Sequence, residues 1–359
     1  MDIGSCDEDQ GVPLISVCIF TGRRGPLLGA CLESLHNQVD PPVFELLVVA
    51  DRDPAIAQQV LDAFPEAHVQ MASGQLPGAA RNLLIAQARG ELLLFLDDDV
   101  VAEPDLLHNA YSASVQHPDV GVFGGPNLTP PGSSTFQFVQ GAVLGSILAA
   151  GPVRKRYGVH HAGPTSETSL TLCNLVVRRQ SAVPFARDLV CAEENEAMRR
   201  LRRNGVTMRS DPDLVVFHER RQSGGPFASQ MFKYGRGRGQ LLQRDPRALR
   251  VAHVVPTLLC LYVLTLPLLL ALWSSLWLIP IAAYAIAICV SSLWIDHCTG
   301  RVRPFGQFMF RFVLAAALIV VVHAAYGVGL LRGLLDRRRI EQEAPQMAMS
   351  GLATEPPFS

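Results

Sequence analysis

Three long apolar runs late in the chain constrain its fold more than any other feature. Val254–Trp273 and Leu276–Ile295 contain no charged residue, and Phe312–Leu331 has only His323 as a group able to carry charge near neutral pH. At 1.5 Å per residue, each is about long enough to cross the hydrocarbon core of a bilayer. A single such run fits inside a soluble domain; three in succession predict a membrane domain over residues 251–333. Ser274-Ser275 alone separates the first two runs. That predicts a tight hairpin over 254–295, with Pro256, Pro267 and Pro280 as kink sites.

Arginines set the orientation. Arg236, Arg238, Arg244, Arg247 and Arg250 crowd the approach to the hairpin, and its tip carries none. Basic residues favour the cytoplasmic side, so the N-terminal domain is expected in the cytoplasm. Arg301, Arg303 and Arg311 agree. The tail does not, because a full third span over 312–331 puts Arg332 and Arg337–Arg339 outside. Either the third run is re-entrant or interfacial, or it spans and breaks the rule locally; the third span is the expectation taken forward. Phe136 to Ala150 is rich in small residues and short for a span. It reads as an interfacial helix near the acceptor site or as a core helix.

The first 245 residues alternate differently. LISVCIF (14–20) is a short apolar run ending at Thr21-Gly22-Arg23-Arg24, and Pro26 to Gln38 has helical spacing. FELLVVA follows, closed by Asp51-Arg52-Asp53-Pro54, then a helical stretch from Ala55 to Phe64. His68–Ala72 reads as a third strand and Leu76–Ala88 as a third helix carrying Arg81-Asn82. GELLLFL then runs directly into Asp97, Asp98 and Asp99. This alternation predicts a doubly wound parallel sheet that binds ligands at the carboxyl ends of its strands. Asp51 and Asp97–Asp99 all fall at such ends, in one crevice. Carboxylates there suit a hard divalent cation, and the cation suits a substrate phosphate. A solvated acidic turn capping the next helix is the bland alternative. Neither GxGxxG nor GxxxxGK[ST] occurs, which excludes a dinucleotide fingerprint and a P-loop.

The ordered series ISVCIFTGRR, CLESLHNQ, FELLVVADRD, PGAARNLLIAQARGE, LFLDDDV, CNLVVRR, AEENEAMRRLRRNG and HER resembles the inverting family 2 glycosyltransferases, with a GT-A type nucleotide-sugar-binding domain. The resemblance spans roughly residues 13–240. A narrower likeness, to bacterial exopolysaccharide transferases of the succinoglycan-building type, rests on FKYGRGRG (232–239) and the apolar tail. The resemblance implies a GT-A domain over 13–245 and a multi-pass protein of the bacterial inner membrane. It implies a nucleoside diphosphate sugar donor, Mg²⁺ or Mn²⁺, and a lipid-linked saccharide or polyprenyl-phosphate acceptor.

Its motifs carry roles over residue by residue. Asp97 and Asp99 match the DxD element, with Asp99 the direct metal ligand; Asp98 contacts the ribose or the metal. Asp51 matches a nucleobase-contacting aspartate, although Ala50 stands where the family often has a second acid. Arg81 matches a diphosphate-holding residue, and Thr21 lies near the base. A glutamate-aspartate pair in the family supplies the general base at its second acid, which lands on Glu194, with Glu193 as the alternative. An acidic first helical turn alone also explains these glutamates, in a helix from Glu194 to Arg203 ended by Asn204-Gly205. Asn174 matches a small polar residue near the acceptor or donor sugar. His218 matches a histidine at the metal or diphosphate, and a structural strand-end histidine is its equal rival. Arg220, Arg221, Arg236 and Arg238 add charge for diphosphate or acidic lipid head groups. The family's processive members carry QxxRW in this region, which this chain lacks; that implies one sugar per encounter.

Composition narrows the partners. With 31 basic and 32 acidic residues the charge is close to balanced, so no nucleic-acid partner is implied. The eight cysteines show no metal spacing, and a disulfide framework is not expected in the cytoplasm. The acidic start lacks the positive region of a signal peptide. Residues 1–12 are expected to be flexible, residues 341–359 disordered, and no internal repeat is evident. A nucleotidyltransferase shares strand-end carboxylates, but TGRRGP is a poor version of its glycine-rich loop. A degenerate, scaffold-like transferase is the non-enzymatic alternative.

Overall fold

The structure, a computed structural model, describes residues 12–22, 25–189, 191–298 and 304–336. Arg23, Arg24, Arg301, Arg303, Arg337–Arg339 and the expected disordered tail lie outside the described residues.

The first half is a βα alternation. Strands β1 (Ile15–Thr21), β2 (Phe44–Asp51), β3 (His68–Ala72) and β4 (Leu92–Asp97) alternate with helices α1 (Pro26–His36), α2 (Pro54–Ala63) and α3 (Pro77–Gln87). They pair in parallel in the order β3-β2-β1-β4. Covered on both faces, β1 and β4 need continuous apolar runs, and their side chains are almost wholly buried. Proline opens each of the three helices, where its missing N–H costs nothing.

Beyond β4 the sheet departs from the all-parallel expectation. The chain continues through β5 (Val100–Ala102), α4 (Leu106–Gln116), β6 (Val120–Gly124), β7 (Asn127–Leu128), α5 (Thr135–Leu144), α6 (Ile147–Ala150) and a 3-10 segment, Gly151–Tyr157. Then come β8 (Gly163–Pro164), β9 (Asn174–Arg178), α7 (Glu193–Arg203), β10 (Thr207–Ser210) and β11 (Val216–His218). β9 inserts antiparallel between β4 and β6, completing the order β3-β2-β1-β4-β9-β6-β10-β8. A small second sheet, β5-β11-β7, brings His218 to pair with Val100, next to the aspartate triplet. The sheet is therefore mixed. The strand-to-helix rhythm fixed pairing for adjacent units, and β9 arrives by a long return that periodicity does not encode.

The remaining chain is helical: α8 (Gly224–Arg244), α9 (Val251–Leu272), α10 (Ile279–Cys298) and α11 (Phe305–Leu335). By length and composition α9, α10 and α11 are each candidates to cross a membrane. The expected hairpin is open. The Tyr262 hydroxyl bonds the Trp277 carbonyl at the turn, but α10 lies along α11, with Asp296 paired to Arg311 at 3.0 Å. α8 and α11 run side by side in parallel at backbone contact. A Cβ on Gly235 would meet the Tyr326 carbonyl, and one on Gly329 or Gly333 would meet the carbonyls of Phe232 and Arg236. Small residues four apart let helix backbones approach this closely. Arg236 and Gln240 both donate to Asp336 at 2.7 Å, closing the pair. The end of α11 thus lies against α8, with Asp336 held by Arg236 and Gln240. The Phe136–Ala150 region falls in two helical segments, Thr135–Leu144 and Ile147–Tyr157, bent by 64°, and Val139 and Val143 pack with Leu318, Ile319 and Phe227 in a buried cluster.

Candidate active site

The carboxyl ends of the parallel strands converge as expected. The Thr21 hydroxyl donates to Asp98 Oδ2 at 2.6 Å, tying the end of β1 to the triplet. Asp51 closes β2 beside Gly22 and accepts the Gly74 N–H at 2.8 Å. One dipeptide shows how local sequence divides labour. Arg81 turns into the site from α3, while Asn82 exchanges two hydrogen bonds with the Phe185 backbone and anchors the helix.

Arg81 joins two acids from opposite sides of the cleft. Its guanidinium lies 3.2 Å from Asp97 Oδ1 and donates to Glu193 Oε1 at 2.6 Å. Glu193 and Glu194 open α7, where the helix dipole favours anions. The residue before them, Ala192, holds a left-handed backbone (φ 72°). Such strain in a non-glycine residue persists where packing fixes it, and here it aims both carboxylates into the cleft. They differ in company. Glu193 is committed to Arg81, and burial raises its carboxyl above the ordinary range despite that guanidinium. Glu194 faces the cavity, accepts from the Asn195 amide and lies 3.7 Å from Arg156.

Among the described residues, Asp97, Asp99 and His218 each offer a ligand atom, all within 4.8 Å of one another. His218 Nε2 lies 3.0 Å from Asp99 Oδ1, and Arg221 lies 3.9 Å from the same carboxylate. Burial pulls the imidazole down, but Asp99 more than reverses this and holds it up at about 10. Burial also raises Asp97, against Arg81. Two carboxylates from the end of β4 and the turn after it, with an imidazole from β11, form a donor set that fits a divalent cation, whose binding would release the imidazole proton.

The cavity around these groups has a volume of about 270 Å³ and includes Arg81, Asp97, Glu193, Glu194 and His218 in its wall. Asn174 is absent from that wall. It is fully buried in β9, its amide donating to the Leu214 carbonyl. Arg220 is likewise committed, bonding Asn127 and Thr129 and stacking 5.2 Å over Tyr157. Sequence reasoning missed Arg156, Asn195, Tyr157 and His253. Asn195 Oδ1 accepts from both Arg156 and Arg238 at 3.2 Å. The signals were present: a basic-aromatic RKRY after a small-residue helix, and a histidine at the edge of an apolar run.

Residues 16–180 match the family model described as Glycosyl transferase family 2. Over these residues the chain carries a family 2 glycosyltransferase domain. In fold this domain and its helices resemble the mannosyltransferase PcManGT from Pyrobaculum calidifontis, solved in complex with GDP-Man and Mn²⁺. The TM-score is 0.60 at 15% identity, covering 91% of this chain and 89% of that one. Among curated proteins, the chain is 30% identical over 218 residues to the uncharacterized protein y4gI of Sinorhizobium fredii. It is 27% identical over 246 residues to the O-antigen biosynthesis protein RfbC of Myxococcus xanthus. These matches take in 58% and 63% of this chain but 23% and 19% of those proteins, so the chain spans about a fifth of their length. The family 2 match ends before Glu193, α8 and the apolar helices.

Proposed function

We propose that the chain is a membrane-anchored inverting glycosyltransferase. It moves a sugar from a nucleoside diphosphate donor to a lipid-linked saccharide or polyprenyl phosphate in cell-surface polysaccharide synthesis. One observation carries the reading: Asp97 and His218, which cluster with Asp99, line the same cleft as the Glu194 carboxylate, and Arg81 bridges Asp97 to the neighbouring Glu193. Thr21, Asp51 and Asp98 hold the nucleoside. Asp97, Asp99 and His218 hold a divalent cation that, when bound, neutralises charge on the departing diphosphate. Because one donor is an imidazole, Mn²⁺ suits this set better than Mg²⁺. Arg81 adds a guanidinium to the diphosphate.

Glu194 acts as the general base and takes the acceptor hydroxyl proton as that oxygen attacks the anomeric carbon opposite the leaving group. Glu193 holds Arg81 and the helix start. The intact clusters weigh against a degenerate scaffold, and the family 2 match against a nucleotidyltransferase. The arginine asymmetry supports a cytoplasmic catalytic domain in the bacterial inner membrane. Because α11 ends against α8, beside that domain, its end is read as cytoplasmic. A reporter fused after Asp336 is therefore expected in the cytoplasm, and external activity would reverse the topology. The reaction itself is tested with purified protein and a panel of nucleotide sugars, with and without EDTA. Donor turnover that stops in EDTA and returns with Mn²⁺ is expected; no turnover of any donor would refute the reading.

A further inference from the structure

A second cavity, of about 320 Å³, opens from the catalytic one toward the apolar helices. Its wall is largely aliphatic, with Leu148 and Pro152 on one side and Val255, Pro256, Met231 and Val322 on the other. Val153, Tyr157, Tyr234, His253 and Tyr326 line both cavities, so the two are joined. The join is chemically distinct from either end. His253, on the first turn of α9, is 6% exposed, and its Nδ1 has no hydrogen-bond partner among the described residues. Arg156 and Arg238, at 9% and 8% exposed, also line the catalytic side of this join. Arg250 lines the apolar side, where it is paired to Glu167 at 2.8 Å.

A buried donor or acceptor left without a partner is costly, and buried guanidinium groups beside it favour an anion. An aliphatic chamber favours hydrocarbon. A sugar alone suits neither half, and a neutral lipid leaves the join unanswered. We infer that the second cavity holds the isoprenoid chain of a polyprenyl-phosphate carrier. Its phosphate sits at His253, Arg156 and Arg238, and the acceptor group it bears points to Glu194. This rests on the transferase reading above and names the acceptor's lipid class and its seat.

The test uses the full chain in detergent and farnesyl phosphate carrying a photoreactive diazirine on its terminal isoprene. Cross-links on the unaltered chain are expected at residues 147–153, 252–256 or 322. Val322→Trp fills the chamber and His253→Ala empties the join. Each is expected to weaken binding of this probe by about tenfold or more. Mn²⁺-dependent nucleotide binding serves as the folding check. Farnesol and inorganic phosphate are each expected to compete at least about tenfold less well than farnesyl phosphate, since neither supplies both halves. Cross-links confined to the outer faces of α9 and α10 would overturn the inference. So would full probe affinity in a folded Val322→Trp protein, or inorganic phosphate competing as well as the lipid. A chain that binds the probe as expected but turns over no nucleotide sugar refutes the transferase reading and leaves this site standing. One that transfers sugar but does not bind the probe refutes this site alone.

Discussion

Thr21, Asp51 and Asp97 stand at the ends of three adjacent parallel strands, whereas Arg156, Glu194, Arg238 and His253 reach the cleft from a 3-10 segment and three helices. On the donor side, a strand buried on both faces has one exit, and the residue after the apolar run must lie at the crevice. On the acceptor side, position depends on how helices pack. α8 is held against α11 by backbone contact at Gly235, Gly239, Gly329 and Gly333. Arg238, on α8, bonds Asn195 on α7, directly beside the proposed base. The same chain thus places its donor groups by pattern and its acceptor groups by assembly.

Five experiments probe that contrast. Asp99→Ala strikes the donor side hardest and is expected to lower turnover by about a thousandfold or more, with Mn²⁺-dependent nucleotide binding weakened. Near-normal transfer by this variant would break the assignment. Glu194→Gln, on the acceptor side, should slow transfer roughly 10²–10⁴-fold while nucleotide-sugar binding holds. Glu193→Gln is expected to be milder in turnover but to lower the melting temperature, because it strips a partner from buried Arg81. Reversed severities would make Glu193 the base.

The other two read stability. Gly329→Leu drives a side chain into the Phe232 carbonyl, and is expected to lower stability by about 1–3 kcal/mol in a detergent melt. An unchanged melt would mean that the α8–α11 contact is loose. The smallest effect belongs to Glu45 on β2, which accepts from Ser16 at 2.7 Å and from Arg89 at 2.9 Å. Burial acts to raise this carboxyl, yet these bonds hold it below its ordinary 4.5. A depressed folded value means its stabilisation is present above pH 4.5 and is lost as pH falls through the lowered value. Glu45→Gln is therefore expected to melt lower than the parent at neutral pH, with a flatter decline into acid; parallel pH profiles would show that the bonds contribute nothing.

Arg81 and Asn82 show how far one sequence reading extends. The spacing of Leu76–Ala88 put both on a helix, and family likeness sent Arg81 to the diphosphate. That Arg81 also clasps Glu193, 112 residues away, needed the fold. Asn174 shows the opposite case, where a motif match predicted a sugar contact and the antiparallel entry of β9 buried the side chain in the sheet.

By itself the sequence determined the parallel core, the strand-end aspartates, the first turn of α7 and the three apolar helices. Each of these follows from local periodicity, strand burial or capping, which neighbouring residues settle. The tertiary structure decided what depends on distant partners. It brought His218 to Asp99, set β9 antiparallel, returned the end of α11 to α8 and joined an aliphatic chamber to the cleft at His253. Those outcomes rest on contacts between segments far apart in the chain, and hydrophobic burial, being non-directional, leaves their arrangement to packing.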